Sequence, residues 1–196
     1  MPSCHSTNDI GLEMIRKPDI IEGTVIISDE QTMGRGQRGN AWVSESGQNL
    51  MLSLILAPRF LKPSDQFFLN MAISLAVRET VINFLPESNC QVKWPNDVYL
   101  NGVKLAGILI DLEGQALEPS HSVIGIGLNV NMPAQAAEKI DQKWTDLQSN
   151  TKEVIDRNAL SAQLIHHLLK RLQQHQNEGL TTMLDEWHAQ QERSES

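Results

Sequence analysis

Between Glu30 and Trp42 the chain reads EQTMGRGQRGNAW, which sets Gly34, Gly36 and Gly39 around Arg35 and Arg38, with Gln31 and Gln37 as amides and Trp42 as an indole. Little in this stretch could build a core. Glycines let main-chain N–H groups approach an anion closely, and arginines supply fixed charge with forked donors, so the composition suits a phosphate or a carboxylate. The spacing also matches a dinucleotide fingerprint, but that fingerprint opens a helix directly after a strand, and here Asn49 to Leu56 downstream reads as a strand. A Rossmann unit is rejected on that ground. A basic surface loop is the structural alternative.

A second dense segment runs from Gln91 to Leu112 and gathers Lys93, Asn96, Asp97 and Lys104 around a predicted hairpin. These residues could position and neutralise an anionic ligand, or they could be solvated lysines with Asn96 and Asp97 capping a turn. In SVIGIGLNVN, Gly125 and Gly127 occupy alternate strand positions and share one face, leaving room above the backbone for something flat or bulky. A barrel bend or a tightly packed helix would use the same space. Near the N-terminus, Ser6-Thr7-Asn8-Asp9 reads as a helix start with Ser6 capping and Asp9 three residues on, and a helix start also offers free N–H groups to a ligand.

The elements that must position these residues follow from pattern. Thr24 to Ser28 is β-branched and delivers the chain to the glycine-rich loop as a buried strand, and Leu50 to Ala57 alternates with little polarity on either face, as a central strand does. Pro58 and Pro63 punctuate the chain, Ser64 is expected to cap a helix, and Phe68, Met71, Ala72, Leu75 and Ile82 carry that helix's apolar stripe as far as Pro86. Val92 to Trp94 and Val98 to Leu100 read as strands broken at Pro95, and Asn101-Gly102 signals a type I′ turn into Val103 to Leu112. Gly114 is expected to open a loop through Glu118-Pro119 before Ser122 to Asn131 returns as a strand. Asp156 caps a helix carrying Leu160, Leu164, Leu168 and Leu172, Gly179 ends it, and a last helix runs from Leu180 to about Gln191. The expected organisation is one domain over residues 1–191 with a frayed tail at 192–196.

Bulk properties narrow the class. A chain of 196 residues is long enough for one well-buried core, and a net charge of −8 argues against broad binding to nucleic acid or anionic membranes. The loop arginines are thus a local basic site in an acidic molecule. Cys4 and Cys90 are too few for a disulfide framework and lack metal-ligand spacing, which fits a reducing, cytoplasmic setting. The apolar runs are strand-sized, and no membrane segment is expected.

Five segments then occur in order: STND, EQTMGRGQRGNAW, KWPND, KLAGILID and GIGLNVN. Together they resemble the catalytic domain of biotin–protein ligases, also called biotin–[acetyl-CoA-carboxylase] ligases, over about Cys4 to Met132. The resemblance implies an α+β fold: a mixed, mostly antiparallel sheet with flanking helices, akin to class II aminoacyl-tRNA synthetases. It implies an ATP-dependent reaction in which biotin and ATP give biotinyl-5′-AMP, from which biotin passes to a lysine of a biotin carboxyl carrier protein. It further implies catalytic roles for Arg35 and Lys104 at the carboxylate–phosphate junction, Lys93 at the triphosphate and Asp97 as base or orienting group. Biotin would be held by Ser6, Thr7, Asn8, Gln31, Gly34, Arg35, Gly36, Gln37, Lys104, Gly107, Gly125 and Gly127. The nucleotide would meet Arg38, Lys93, Asn96, Leu128 and Asn129, with adenine stacked on Trp42. Mg²⁺ is expected to be carried mainly by the phosphates.

Departures from the family pattern shape these expectations. Gln37 stands where some members carry a second loop arginine, which concentrates the expected charge on Arg35, and His5 stands where an acidic residue is common. A DNA-binding helix-turn-helix and the small SH3-like domain of many members are not visible, so a ligase without repressor activity is expected. Sheet-to-sheet pairing into a homodimer, as in many members, is a further expectation, and a non-catalytic binding module or a lipoate ligase are the alternative readings.

Overall fold

A computed structural model describes residues 1–57, 67–115, 118–133, 135–136, 140 and 142–191. Pro58, Pro63, Ser64 and the tail 192–196 lie outside the described residues. The elements are α1 (Thr7–Met14), β1 (Val25–Ser28), β2 (Asn49–Leu56), α2 (Phe67–Phe84), β3 (Cys90–Lys93), β4 (Asp97–Leu100), β5 (Val103–Gln115), β6 (Glu118–Asn129), α3 (Leu147–Thr151) and α4 (Arg157–Ala189).

The strands form one six-stranded sheet in the order β1-β2-β6-β5-β4-β3. Each neighbouring pair is antiparallel, and the parallel pairings lie in isolated bridges such as Cys4 with Gln31 and Lys104 with Trp144. The α+β expectation therefore holds, with the mixed character confined to single bridges. Period-two alternation sorts the sheet's faces. Leu50, Leu52, Leu54 and Leu56 of β2 join Ile124, Ile126 and Leu128 of β6 in the main core, with Phe68, Met71 and Leu75 of α2 and Leu160, Leu164 and Leu168 of α4. On the opposite face, α1 covers one corner, where Ile15, Ile26, Ile55 and Val123 form a smaller cluster. The rest of that face is left for the cleft described below.

Helix α2 is long and apolar enough to cross a membrane, but in this fold it is the central core helix, packed chiefly against α4. Asn101 (φ 52°) and Gly102 (φ 75°) both adopt the left-handed conformation a type I′ turn needs, as their sequence predicts. Asp156 caps α4 by accepting from the N–H groups of Asn158 and Ala159, and Gly179 (φ 81°) interrupts the helix where the sequence places its end. One boundary differs. Gly114 does not open a loop: β5 continues to Gln115 and β6 begins at Glu118, with a register shift between Glu113 and Gly114 absorbing the irregularity. Pairing with β6 decides the strand's length, which local turn signals do not see.

The outer edges of the sheet are partly occupied. The amino group of Met1 donates to Ile27 O at 2.7 Å on β1, and Val92 N of β3 donates to Gln190 O at 2.8 Å. A dimer built by pairing sheet edges would have to meet these segments.

Candidate active site

The glycine-rich segment folds as a small hairpin over the open face of the sheet. Trp42 N donates to Gly34 O at 2.9 Å, Gly36 N donates to Asn40 O at 2.7 Å, and Arg35 bridges Ala41 in antiparallel fashion. Arg38 (φ 55°) and Gly39 (φ 80°) form its tip. Gly34 is needed for close approach, since a Cβ there would lie 2.4 Å from Trp42 O. Beneath the hairpin is a cleft of about 460 Å³, mouth included, lined by Ser6, Thr7, Asn8, Gln31, Arg35, Gly36, Gln37, Trp42, Asn96, Asp97, Lys104, Gly107, Gly125 and Gly127 together with Ile108, Leu109 and Ile126. Most of the residues singled out in the sequence thus converge on one place.

The α1 side of the cleft is buried and closely bonded. Ser6 occupies the N-cap position of α1, but its side chain makes no capping bond. Gln31 does that work from outside the helix: its Oε1 accepts from Thr7 N at 2.7 Å and from Thr7 Oγ1 at 3.0 Å. The Ser53 hydroxyl lies 2.7 Å from Thr7 Oγ1 and 2.6 Å from Asn8 Oδ1, and Asn8 Nδ2 donates to Leu109 O at 3.2 Å and Asp111 Oδ2 at 3.0 Å. Asp9 closes no capping box and instead accepts from Arg35 Nη1 at 2.6 Å. Arg35 also holds Asp111 through both terminal nitrogens, at 3.2 Å each. Burial disfavours the charge on Arg35, but the hydrogen bond and charge of Asp9 and the charge of Asp111 outweigh it and raise the guanidinium's pKa further.

The other side is built by β4 and β5. Asp97 pairs with Gly107 and Val98 with Ala106, but Tyr99 pairs with Lys104, so Leu105 is left over as a bulge. Strict alternation would put Lys104 and Gly107 on opposite faces; the bulge brings both into the cleft. There Lys104 Nζ meets Asp97 Oδ2 at 3.0 Å. Asp97 Oδ1 and Trp42 Nε1 are both buried without a hydrogen-bond partner among the described residues. Asn96, after the cis Trp94-Pro95 bond, donates from Nδ2 to Ile108 O at 2.8 Å. An adjoining open groove continues past Arg38, Trp94, Pro95 and Gln142.

The protein itself engages several of the expected site residues. The space above the glycines is filled by the protein itself: a Cβ on Gly125 would lie 2.3 Å from Asn8 Oδ1, and one on Gly127 would lie 2.4 Å from the Trp42 indole. Trp42 therefore sits on the sheet in this state, next to Gly107 and Gly127, instead of standing in the groove as a free platform. Leu128 is fully buried in the main core, because its alternation places it on the α2 face, so its side chain does not reach the cleft. Asn129 donates to Thr145 O at 3.0 Å, and Thr145 N donates to Lys104 O at 2.9 Å, so Asn129 braces the 144–145 segment against β5 and does not line the cleft. Lys93 is exposed at the end of β3, with its ammonium 4.5 Å from the Tyr99 ring centre, and it too lies outside the cleft lining.

Sequence reasoning passed over Asp9, Ser53 and Asp111 as site residues. Ser53 and Asp111 were visible in outline as lone polar residues inside the otherwise apolar runs NLMLSLIL and KLAGILIDL. A polar residue on a strand with a buried neighbourhood needs a partner, and here the partners are Asn8 and Arg35.

The chain belongs to the biotin/lipoate A/B protein ligase family, whose model matches residues 1–129. Among curated proteins it is similar to the bifunctional ligase/repressor BirA of Salmonella typhimurium, 36% identical over 187 residues that cover 95% of this chain and 57% of that protein. It is likewise similar to the biotin–[acetyl-CoA-carboxylase] ligase of Mycobacterium tuberculosis, 33% identical over 159 residues covering 80% of this chain and 57% of that protein. The chain thus spans little more than half the length of these relatives. Among solved structures, the biotin protein ligase of Aquifex aeolicus in complex with biotin and ATP superposes with a TM-score of 0.81 at 25% identity, over 97% of this chain and 76% of that one. The Leishmania major biotin protein ligase with biotinyl-5-AMP has the same fold, with a TM-score of 0.81 at 22% identity over 100% of this chain and 81% of that one.

Proposed function

We propose that this chain carries the catalytic site of an ATP-dependent biotin–protein ligase, which forms biotinyl-5′-AMP and passes biotin to a lysine of a biotin carboxyl carrier protein. The observation that carries the proposal is the convergence of Ser6, Thr7, Asn8, Gln31, Arg35 and Lys104 on one cleft floored by Gly107, Gly125 and Gly127. The family match, relatives named as biotin ligases and the complex of the Aquifex protein with biotin and ATP support it.

In the first half-reaction a carboxylate oxygen of biotin attacks the α-phosphorus of ATP, and the bond to pyrophosphate breaks. Two anions must be brought together, so the protein's task is charge neutralisation and alignment. Arg35 and Lys104, on opposite sides of the cleft, are the cations suited to that junction. The amides of Asn8 and Gln31 and the hydroxyls of Ser6 and Thr7 offer both donors and acceptors, which a cyclic urea requires. Trp42 is the surface on which adenine would stack once the indole leaves Gly127, and Arg38 and Asn96 border the groove into which the nucleotide would extend.

In the second half-reaction a lysine amine of the carrier attacks the activated carbonyl, AMP leaves, and the amine gives up a proton. At neutral pH a free lysine, with pKa ~10.4, is almost wholly protonated. Asp97 Oδ1, which has no hydrogen-bond partner among the described residues and lies beside Gly107, is the group we assign to accept that proton or to orient the amine. Magnesium would be carried mainly by the triphosphate, since Asp9 and Asp111 are engaged by Arg35 and Asp97 by Lys104. No step is routed through a metal held by the protein.

The test is pyrophosphate release by this chain with ATP and Mg²⁺, with biotin or lipoate as the acid. Release with biotin and not with lipoate is expected. Release with lipoate alone would move the protein to the lipoate branch of the family, and calorimetric biotin binding without release would make it a binding module.

A further inference from the structure

The guanidinium best placed to neutralise substrate is already neutralised. Arg35 bonds Asp9 through Nη1 and Asp111 through both Nη1 and Nη2, so this cluster holds two carboxylates for one guanidinium, with His5 Nε2 3.9 Å from Asp9 Oδ2 on the outer side. An anionic group can bond the Arg35 guanidinium directly only if one of these carboxylates gives way.

The two carboxylates are not equivalent. Asp111 stands on β5, its side chain 20% exposed, chelates the guanidinium and also accepts from Asn8 Nδ2 at 3.0 Å. Asp9 stands on the first turn of α1, 30% exposed, and bonds Arg35 once, at 2.6 Å. Chelation and burial make the Asp111 contact the more durable, whereas a single, more exposed ion pair exchanges its partner at small cost. We infer that Asp111 is a positioning residue that fixes the Arg35 guanidinium over the cleft, and that Asp9 is a resident counter-ion which the carboxylate of the incoming acid displaces. Arg35 then keeps its place and trades one carboxylate for another, so charge is conserved at the junction. The assignment rests on the reading of Arg35 given under the proposed function.

Calorimetric titration of wild type, Asp9→Asn and Asp111→Asn with biotin, and with biotinol as a neutral-headed control, tests it. Removing Asp9 should tighten biotin about two- to fivefold, the range of an exposed ion pair, and leave biotinol unchanged. Asp111→Asn should lower kcat for pyrophosphate release on the order of tenfold or more with a smaller change in KM for biotin, and Asp111→Glu should recover part of it. Weaker biotin binding by Asp9→Asn, or equal shifts for both ligands, would overturn the counter-ion role. An Asp111→Asn effect confined to KM would overturn the positioning role. A ligand-free measurement separates failure of this inference from failure of the biotin reading: tryptic cleavage after Arg38, followed by mass spectrometry, should be faster in Asp111→Asn than in wild type and close to wild type in Asp9→Asn. A wild-type rate in Asp111→Asn, or an equal acceleration in both variants, would overturn the division of roles.

Discussion

The two sides of the cleft are built on different principles. On the α1 side, Thr7, Asn8, Gln31, Ser53 and Asp111 satisfy one another through short bonds among α1, β2, β5 and the segment that follows β1. On the β4–β5 side, Trp42 Nε1 and Asp97 Oδ1 are buried without hydrogen-bond partners among the described residues, and the indole comes from the hairpin rather than from the sheet. Buried polar groups left unpaired cost about 1–3 kcal/mol each, so the second side gains by acquiring a ligand while the first has little to rearrange. The difference teaches that the α1 side is preorganised, whereas the other side keeps buried polar atoms that a ligand could satisfy.

Substitutions can break or sharpen that contrast. The largest effect is expected where the two sides meet: Arg35→Ala or Lys104→Ala should each reduce adenylate formation about 100-fold or more, as loss of one preorganised donor does, measured by pyrophosphate release. Residual rates near wild type in either variant would remove that cation from the junction. On the preorganised side, Gly125→Ala puts a Cβ 2.3 Å from Asn8 Oδ1, and Asn8 is tied to Ser53 and Asp111. Biotin affinity should fall on the order of tenfold by calorimetry, because a buried amide must leave its partners. Gly127→Ala makes an equally close contact, 2.4 Å, but with the Trp42 indole, which the hairpin can carry away. Its thermal midpoint should stay nearer to wild type than that of Gly125→Ala while tryptophan emission shifts to the red; equal destabilisation of both variants would erase the contrast.

Smaller effects should divide by side. Trp42→Ala should raise the KM for ATP about fivefold or more through lost stacking and leave biotin affinity within about twofold, read by steady-state kinetics and calorimetry. Ser53→Ala, which removes a fully buried hydroxyl from both Asn8 and Thr7, should cost about 1–3 kcal/mol in urea unfolding, because Asn8 Oδ1 is left as a buried acceptor without that partner.

Much of the architecture is legible in the sequence because it follows from local rules. The alternation of Leu50 to Leu56, the Asn101-Gly102 turn, the Asp156 cap and the break at Gly179 each depend on a few neighbouring residues, and each is found in the structure. Site residues were legible where composition had no structural excuse, as in GRGQRG. They are hidden where a charged residue looks like ordinary helix punctuation, as with Asp9, and only outlined where a lone polar residue interrupts an apolar run, as with Asp111. Gly125 and Gly127 clear one strand face, as their spacing shows, but what fills that space is not local, since Asn8 and Trp42 reach it from distant parts of the chain.

By itself the sequence determined which residue types were at hand for two anions: arginine and glycine in one loop, lysines around one hairpin, and small residues on one strand face. These are matters of composition and short-range period, which the chain carries in any conformation. Only the tertiary structure decided how they meet. The bulge at Leu105 turns Lys104 onto the face of Gly107, the β5–β6 pairing sets Asp111 beneath Arg35, and Leu128 is spent on the core one residue from a cleft glycine. A shift of one residue in register exchanges the two faces of a strand, and register is fixed by long-range pairing and burial, which no local stretch of sequence contains.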